Sequence, residues 1–354
     1  MSQQSEAQTP ATQAQAQPEM LYLPETMKNW PWPRAINPYY EEVTLESNAW
    51  FKSFKPFNAR SQYAYDLCDF GEEHLRTGID LMNVFFVVDE YTDVEPLAVV
   101  KEMIGIVIDA LHNPSKPRPE GEIVLGEITR QFWARGEKTA TPEAAKHFVE
   151  AFTDYLNSVI VQAGDRDDDK IRTVDEYLQT RRENIGARPS YVPGELHLSI
   201  PDYAFYHPVM KELEYHIADL IILDNDIASY NKEQATGDDR HNILTVVMNQ
   251  FNLPLPEAMK WVVKYHEEVE AKFLDGLKRV PSWGKEIDDQ VAVYIEHIAG
   301  WPRCNDCWNF ESGRYFGSKG LEIQKSRYVP LLPKRKLATH LHKENVDVPI
   351  VDSL

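Results

Sequence analysis

Asn225, Ser229 and Glu233 stand four residues apart in the segment IILDNDIASYNKE, so on a helix they turn an amide, a hydroxyl and a carboxylate toward one space. Oxygen donors of this kind suit a hard cation and offer nothing to a soft one. At the rise of an α-helix the row spans about 12 Å, so Glu233 has to lean toward the helix N-terminus, the direction that helical side chains take. A second oxygen-rich cluster, Asp89-Glu90-Tyr91-Thr92-Asp93, sets Asp89 and Asp93 on one face about 6 Å apart along a helix axis. Each cluster closes on an apolar run, Leu220 to Leu223 in one case and Val84 to Val88 in the other. Two such helices face to face would hold Mg²⁺ at the rim of an apolar chamber, because Mg²⁺ takes one or two carboxylates and fills its shell with water or phosphate oxygen.

The reaction that fits is ionisation of an allylic diphosphate, in which metal ions draw off the leaving group and a dry interior protects the cation. Phe85 and Phe86 lie one turn before Asp89, and an inward aromatic face there would attract positive charge. Diphosphate also needs hydrogen-bond donors, for which arginine forks serve best. Arg182, Lys232 and the pair Arg314-Tyr315 are candidates, but position alone does not select them from 37 lysines and arginines.

Two other patterns carry less. Asp165-Arg166-Asp167-Asp168 has the D-x-D-D form of a catalyst that protonates an alkene, which needs a buried carboxyl with a raised pKa. It opens an unbroken charged run from Asp165 to Lys170, and that density reads as a solvated loop. Cys304 and Cys307 form a single pair with no second pair beside them, so they read as incidental thiols and not as a zinc site. With Cys68 they make three cysteines, too few for a disulfide framework.

Helices must position these groups. Apolar residues at three- and four-residue spacing predict them near 41–55, 60–69, 73–93, 95–112, 121–136, 142–163, 173–186, 205–233, 242–252, 255–278 and 284–299, with no sustained strand pattern. Short breaks such as Asn113 to Pro117 make neighbours antiparallel. The expected architecture is all-α, a single-domain antiparallel helical bundle around a central apolar cavity over residues 19–330. Residues 1–18, a Gln/Ala/Ser/Thr tract with no signal-like basic or apolar region, read as a disordered tail, and 331–354 as a C-terminal surface tail. Between Leu23 and Pro38 four prolines predict an extended arm pinned by Trp30 and Trp32. A net charge of −19 disfavours attraction to nucleic acid or an anionic membrane surface. No apolar run approaches the roughly 18 residues of a membrane span, so a cytoplasmic protein is expected.

The two clusters resemble the metal motifs of class I terpene synthases, over roughly residues 20–330. Asp89 to Asp93 is similar to the family's aspartate-rich motif, and Asn225-x-x-x-Ser229-x-x-x-Glu233 matches its second metal motif, with Lys232 in the usual phosphate-contacting place. Arg314-Tyr315 resembles the late pair that grips diphosphate. Arg182 resembles the diphosphate-sensing arginine, with Ile185 and Gly186 where the helix breaks and a backbone carbonyl faces the cation. The second motif position is Glu90, which leaves Asp93 either a direct ligand or an orienter of waters. Trp308 is a chamber residue on the resemblance alone. The arm and FFVVDEYTDVE look like basidiomycete sesquiterpene cyclases, in particular the branch that closes farnesyl diphosphate between C1 and C11.

The resemblance implies Mg²⁺ as cofactor, three ions with bound diphosphate, and a small-molecule isoprenyl diphosphate as partner of a monomer or homodimer. Asp89, Asn225, Ser229 and Glu233, with Asp93, would hold metal; Arg182, Lys232, Arg314 and Tyr315 would bind diphosphate; Phe85, Phe86, Gly186 and Trp308 would meet the chain. The rivals are a chain-elongating prenyltransferase, which would be expected to show two aspartate-rich motifs, and a non-catalytic helical protein binding an apolar ligand, which would not need the full ligand set.

Overall fold

The structure, a computed structural model, describes residues 19–35, 38–57, 75–93, 95–168 and 170–334. The expected helix 60–69, Cys68, the tail 1–18 and residues 335–354 lie outside them. Long helices carry the described chain: α1 (Tyr40–Ser53), α2 (Leu75–Thr92), α3 (Leu97–His112), α4 (Val124–Gly136), α5 (Pro142–Asp167), α6 (Val174–Asn184), α7 (Pro208–Thr236), α8 (Ile243–Phe251), α9 (Leu255–Leu277), α10 (Lys285–Glu311) and α11 (Gly320–Ser326).

Local chemistry sets their ends. Thr173 and Glu176 form a capping box that starts α6, and Asn242 accepts from the Leu244 N–H to start α8. Thr141 and Pro142 open α5 in the same spirit, with a side-chain cap followed by a residue that lacks the N–H a first turn cannot use. Helix α7 stops at Gly237, whose φ of +90° closes it in the left-handed conformation.

Three expectations need correction. The helix read as 284–299 continues to Glu311 through Pro302, a residue that ordinarily ends a helix. Here Pro302 is buried and the carbonyl of Ala299 accepts a hydrogen bond from the Trp30 indole at 2.9 Å, so the arm supplies a donor at the break. Strands do occur: Met20–Tyr22 pairs antiparallel with Tyr328–Pro330, Leu21 opposite Val329. Three-residue strands are too short to show a period. Lastly, Arg166 to Asp168 are exposed as expected, but Asp165 is half-buried, and Asp165 to Asp167 are the final turn of α5 and not a loop.

The arm is pinned as the tryptophans suggested. Trp30 is buried against Phe273, with ring centroids 5.3 Å apart, and Trp32 packs on both. Arg303 of α10 donates to the carbonyls of Met27 and Trp30 at 2.5 and 3.1 Å.

Helix α7 runs among α6, α8, α9 and α10, while α2, α3, α4 and α5 pack on one another. The two halves have cores of their own, Val84, Val88, Ile104, Phe132 and Phe152 in one, and Leu223, Ile227, Leu244, Val262 and Phe316 in the other. A third, with Ile217, Leu220, Phe273 and Tyr294, lies around the arm. Each buried side chain of this size contributes roughly 1.5–3 kcal/mol. Trp308 packs against both of the first two cores, and its half-buried ring marks where they meet. Among the described residues no helix is long and apolar enough to cross a membrane.

Candidate functional site

Helix α7 presents Asn225, Ser229 and Glu233 where it meets α6, α8 and the turn Gly313–Phe316. The Asn225 amide N–H donates to Tyr315 Oη at 2.9 Å, and its oxygen accepts from Arg181 at 3.1 Å. Asn242, fully buried at the start of α8, donates to Glu233 at 2.9 Å and to the carbonyl of Asp226 at 2.8 Å, and reaches Ser229 Oγ at 3.5 Å. One amide therefore fixes two of the three oxygen donors. Burial, with Asp226 nearby, pushes the Glu233 carboxyl up to about 7 against the pull of Asn242 and Ser229. Asp226 is anchored by the Tyr177 hydroxyl at 2.5 Å and the Ile243 N–H at 2.8 Å.

Helix α2 ends with the other cluster. Asp89 keeps 42% of its side chain exposed, whereas Glu90 is buried. Arg314 spans both, with Nη2 at 3.3 Å from Asp89 and Nη1 at 3.5 Å from Glu90. Burial raises the Glu90 carboxyl, while Arg314 and Lys232 oppose the shift. Burial and Arg314 in turn push the Lys232 ammonium down, with Glu90 and Glu233 resisting. Tyr91 turns away and donates to the carbonyl of Pro56 at 2.5 Å. Asp93 is exposed at the end of α2, where loss of water around the carboxyl and then the carboxylates of Asp89 and Glu90 raise it above the ordinary range. Arg314 touches the α2 rim and its neighbour Tyr315 touches the α7 rim, so the two clusters face each other within the reach of one dipeptide.

Below the rims the two apolar lead-ins differ: Leu220 to Leu223 of α7 are buried in core, whereas Phe85 and Phe86 of α2 keep some accessible surface. The guanidinium of Arg314 lies 4.5 Å from the Phe86 ring, and Phe86 leads to Trp308, 6.1 Å away between centroids. Phe85 meets Tyr155 at 4.7 Å and Phe152 at 5.6 Å. Both phenylalanines and Trp308 keep accessible surface while packed on buried core. Gly186 is required twice: its φ is +74°, and a Cβ there would come within 3.2 Å of the Phe85 ring.

Two expected placements differ. Arg182 spends two donors on Asp219, each at 2.7 Å, and lies over Tyr215. Asp219 is well over a turn before Asn225 on α7, so Arg182 is not at either rim, and the arginine that meets Asn225 is Arg181. The Gly186 carbonyl expected to face a cation instead accepts from Ser190 N at 3.2 Å and Ser190 Oγ at 2.7 Å. Cys304 and Cys307 are half-buried thiols on α10, not joined in a disulfide.

Sequence reading missed Arg181, Asn242, Asp226 and Tyr155. Tyr155 sits in the wall, and desolvation and then the charges of Asp89 and Asp93 raise its phenol well above 10. Only Asn242 left a usable signal, a capping asparagine just before an apolar run.

The family described as terpene synthase family 2, C-terminal metal binding, matches residues 80–272, which include both clusters. This chain belongs to the terpene synthase family. Sesquiterpene synthase 14 of Postia placenta is 67% identical over 95% of this terpene synthase and 99% of its own length. Delta(6)-protoilludene synthase 18 of the same fungus is 57% identical over 92% and 97% of the two chains. A Delta(6)-protoilludene synthase of Stereum hirsutum is 46% identical over 91% of each. Among solved structures, the linalool/nerolidol synthase of Streptomyces clavuligerus superposes with a TM-score of 0.69 at 17% identity, covering 79% of this chain and 99% of that one. A hedycaryol synthase does so at 0.68 and 19%, covering 81% and 97%. These likenesses establish the all-α class I terpene synthase fold, and the family makes the protein an enzyme of the lyase type.

The site suits a divalent metal. Its donors are carboxylate, amide and hydroxyl oxygens, the set that a hard cation takes. Among the described residues no three carboxylate, imidazole or thiol groups converge to chelate an ion by themselves. The donors sit on two rims, an arrangement that phosphate oxygens would complete.

Proposed function

We propose that this terpene synthase ionises farnesyl diphosphate and cyclises the farnesyl cation by 1,11-closure to the sesquiterpene hydrocarbon Δ6-protoilludene. The facing of the two rims through Arg314 and Tyr315 carries the reading. Three Mg²⁺ ions would be held by Asp89 on one rim and Asn225, Ser229 and Glu233 on the other, with Asp93 orienting waters at the α2 edge. When bound, Mg²⁺ supplies Lewis-acid pull on the diphosphate and neutralises its charge. Arg314, Lys232, Arg181 and the Tyr315 hydroxyl orient the diphosphate from the protein side. Arg182, held by Asp219, braces α6 against α7 instead. As the carbon–oxygen bond breaks, Phe85, Phe86, Tyr155 and Trp308 exclude water and face the cation with π density. Loss of a proton then gives the hydrocarbon.

The product follows the relatives named Delta(6)-protoilludene synthases; the 67% identical relative is named only for its sesquiterpene class. Neither rival fits: the second motif is Asn-Ser-Glu and not aspartate-rich, and the ligand set is complete. The reading includes a cytoplasmic monomer or homodimer. Incubation with farnesyl diphosphate and Mg²⁺, followed by gas chromatography with mass spectrometry, tests it. A volatile hydrocarbon with the spectrum of Δ6-protoilludene is expected; a longer prenyl diphosphate or unchanged substrate would overturn the reading.

A further inference from the structure

The charged run from Asp165 to Asp168 ends beside the aspartate-rich cluster. The last carbonyls of a helix have no partners within it, and a cation there also complements the helix dipole. Helix α2 ends at Thr92, and Arg166 Nη2 donates to the carbonyl of Thr92 at 3.0 Å and to that of Glu95 at 2.6 Å. The next residue takes the other side of the corner: Asp167 Oδ2 accepts from the N–H of Leu97, the first residue of α3, at 3.0 Å. Pro96 before it offers no side-chain cap, so Asp167 fills that role from another helix. Asp165 pairs at 2.5 Å with Arg172, which directly precedes the Thr173 cap of α6, the helix carrying Arg181.

We propose that Arg166 is a positioning residue, which with Asp167 clasps the corner after Asp93 and thereby sets where the Asp89–Asp93 edge stands relative to the Asn225 rim. The proposal rests on the function given above and names a determinant of its metal–diphosphate affinity. Arg166 is an exposed residue whose guanidinium bonds go to backbone carbonyls, so it acts through backbone geometry. Its charge also opposes the upward push on the Asp93 carboxyl.

The test compares Arg166→Ala, Arg166→Lys and a control, Arg130→Ala. Arg130 likewise donates to a corner carbonyl, that of Pro114 at 3.0 Å, but belongs to neither rim. Calorimetry of inorganic diphosphate with Mg²⁺ is run beside the Mg²⁺ dependence of turnover. Arg166→Ala is expected to raise the Mg²⁺ half-saturation and weaken diphosphate binding about 10-fold, as for outer partners of metal ligands. Arg166→Lys should recover part of the loss, since an ammonium can donate to one carbonyl without the fork. The control should leave both readings unchanged. Wild-type Mg²⁺ dependence and diphosphate affinity in Arg166→Ala, or an equal change in the control, would overturn the clasp. Should the alanine variant not fold, the lysine variant carries the same comparison. A wild-type protein that neither binds Mg²⁺ with diphosphate nor yields hydrocarbon would instead remove the functional reading.

Discussion

Asn225 has an amide donor and an amide acceptor, and the fold uses both, one on Tyr315 and one on Arg181. Replacing it with leucine keeps the volume and removes a ligand and both bonds. Turnover is expected to fall by about 100-fold or more, with a stability loss of about 1–3 kcal/mol from the partners left behind. A steady-state assay beside a thermal melt separates the two effects. Gly186→Ala should cost about 1–2 kcal/mol from the left-handed backbone alone, and the added methyl must also move Phe85. Urea unfolding would show the loss, and the product mixture would shift with the displaced ring. That Asn225, Ser229 and Glu233 share one side of α7 was legible because four-residue spacing maps onto one helical face. The choice between Arg181 and Arg182 was not. Neighbours on a helix point about 100° apart, so one meets Asn225 and the other Asp219, and nothing in the string shows which.

Helices α2 and α7 begin and end within a few residues of the expected spans, although α7 is buried on every side from Ile217 to Asp224 and not along one face. Helix α10 shows what periodicity cannot see. Gly300 and Pro302 carry the local signals of a stop, yet tertiary contacts from the arm override them and carry the helix on to Trp308 at the chamber wall. Trp30→Phe tests this contact by removing the indole donor and keeping an aromatic ring on Phe273. A loss of about 0.5–1.5 kcal/mol in chemical unfolding is expected, the net worth of one buried hydrogen bond. No change would mean that α10 needs no help at its proline. The small sheet between the arm and the chain segment after α11 belongs to the same class of long-range feature.

For the molecule as a whole, pH acts on histidines the fold keeps neutral. Burial holds His216 down to about 4, with Lys272, Arg182 and Arg279 adding to the shift and Glu212 opposing it. Burial, with Arg181, Arg172 and Arg166 around it, holds His241 well below its ordinary value. A histidine whose folded pKa lies below the unfolded one takes up its proton more readily when the chain unfolds. Its contribution is full above the unfolded value and drains away as pH falls, over the window from about 6.5 to about 4 for His216. Relative to wild type, His216→Gln should therefore lose less melting temperature as pH falls through that window, while raised carboxyls such as Glu233 act in the opposite sense in both proteins; equal slopes for the two would assign the acid loss elsewhere. At this scale the all-α class was legible from composition and patterning. How the arm closes over α9 and α10 was not, because it depends on pairings nearly 300 residues apart.

The central claim is that Asp89 and the Asn225, Ser229 and Glu233 set bind divalent ions between them around a diphosphate. Anomalous scattering from crystals grown with Mn²⁺ and inorganic diphosphate tests it directly. The account predicts peaks in the mouth between α2 and α7, bridged by diphosphate oxygens and ligated by both rims. Peaks confined to one rim, or lying away from the mouth altogether, would contradict it.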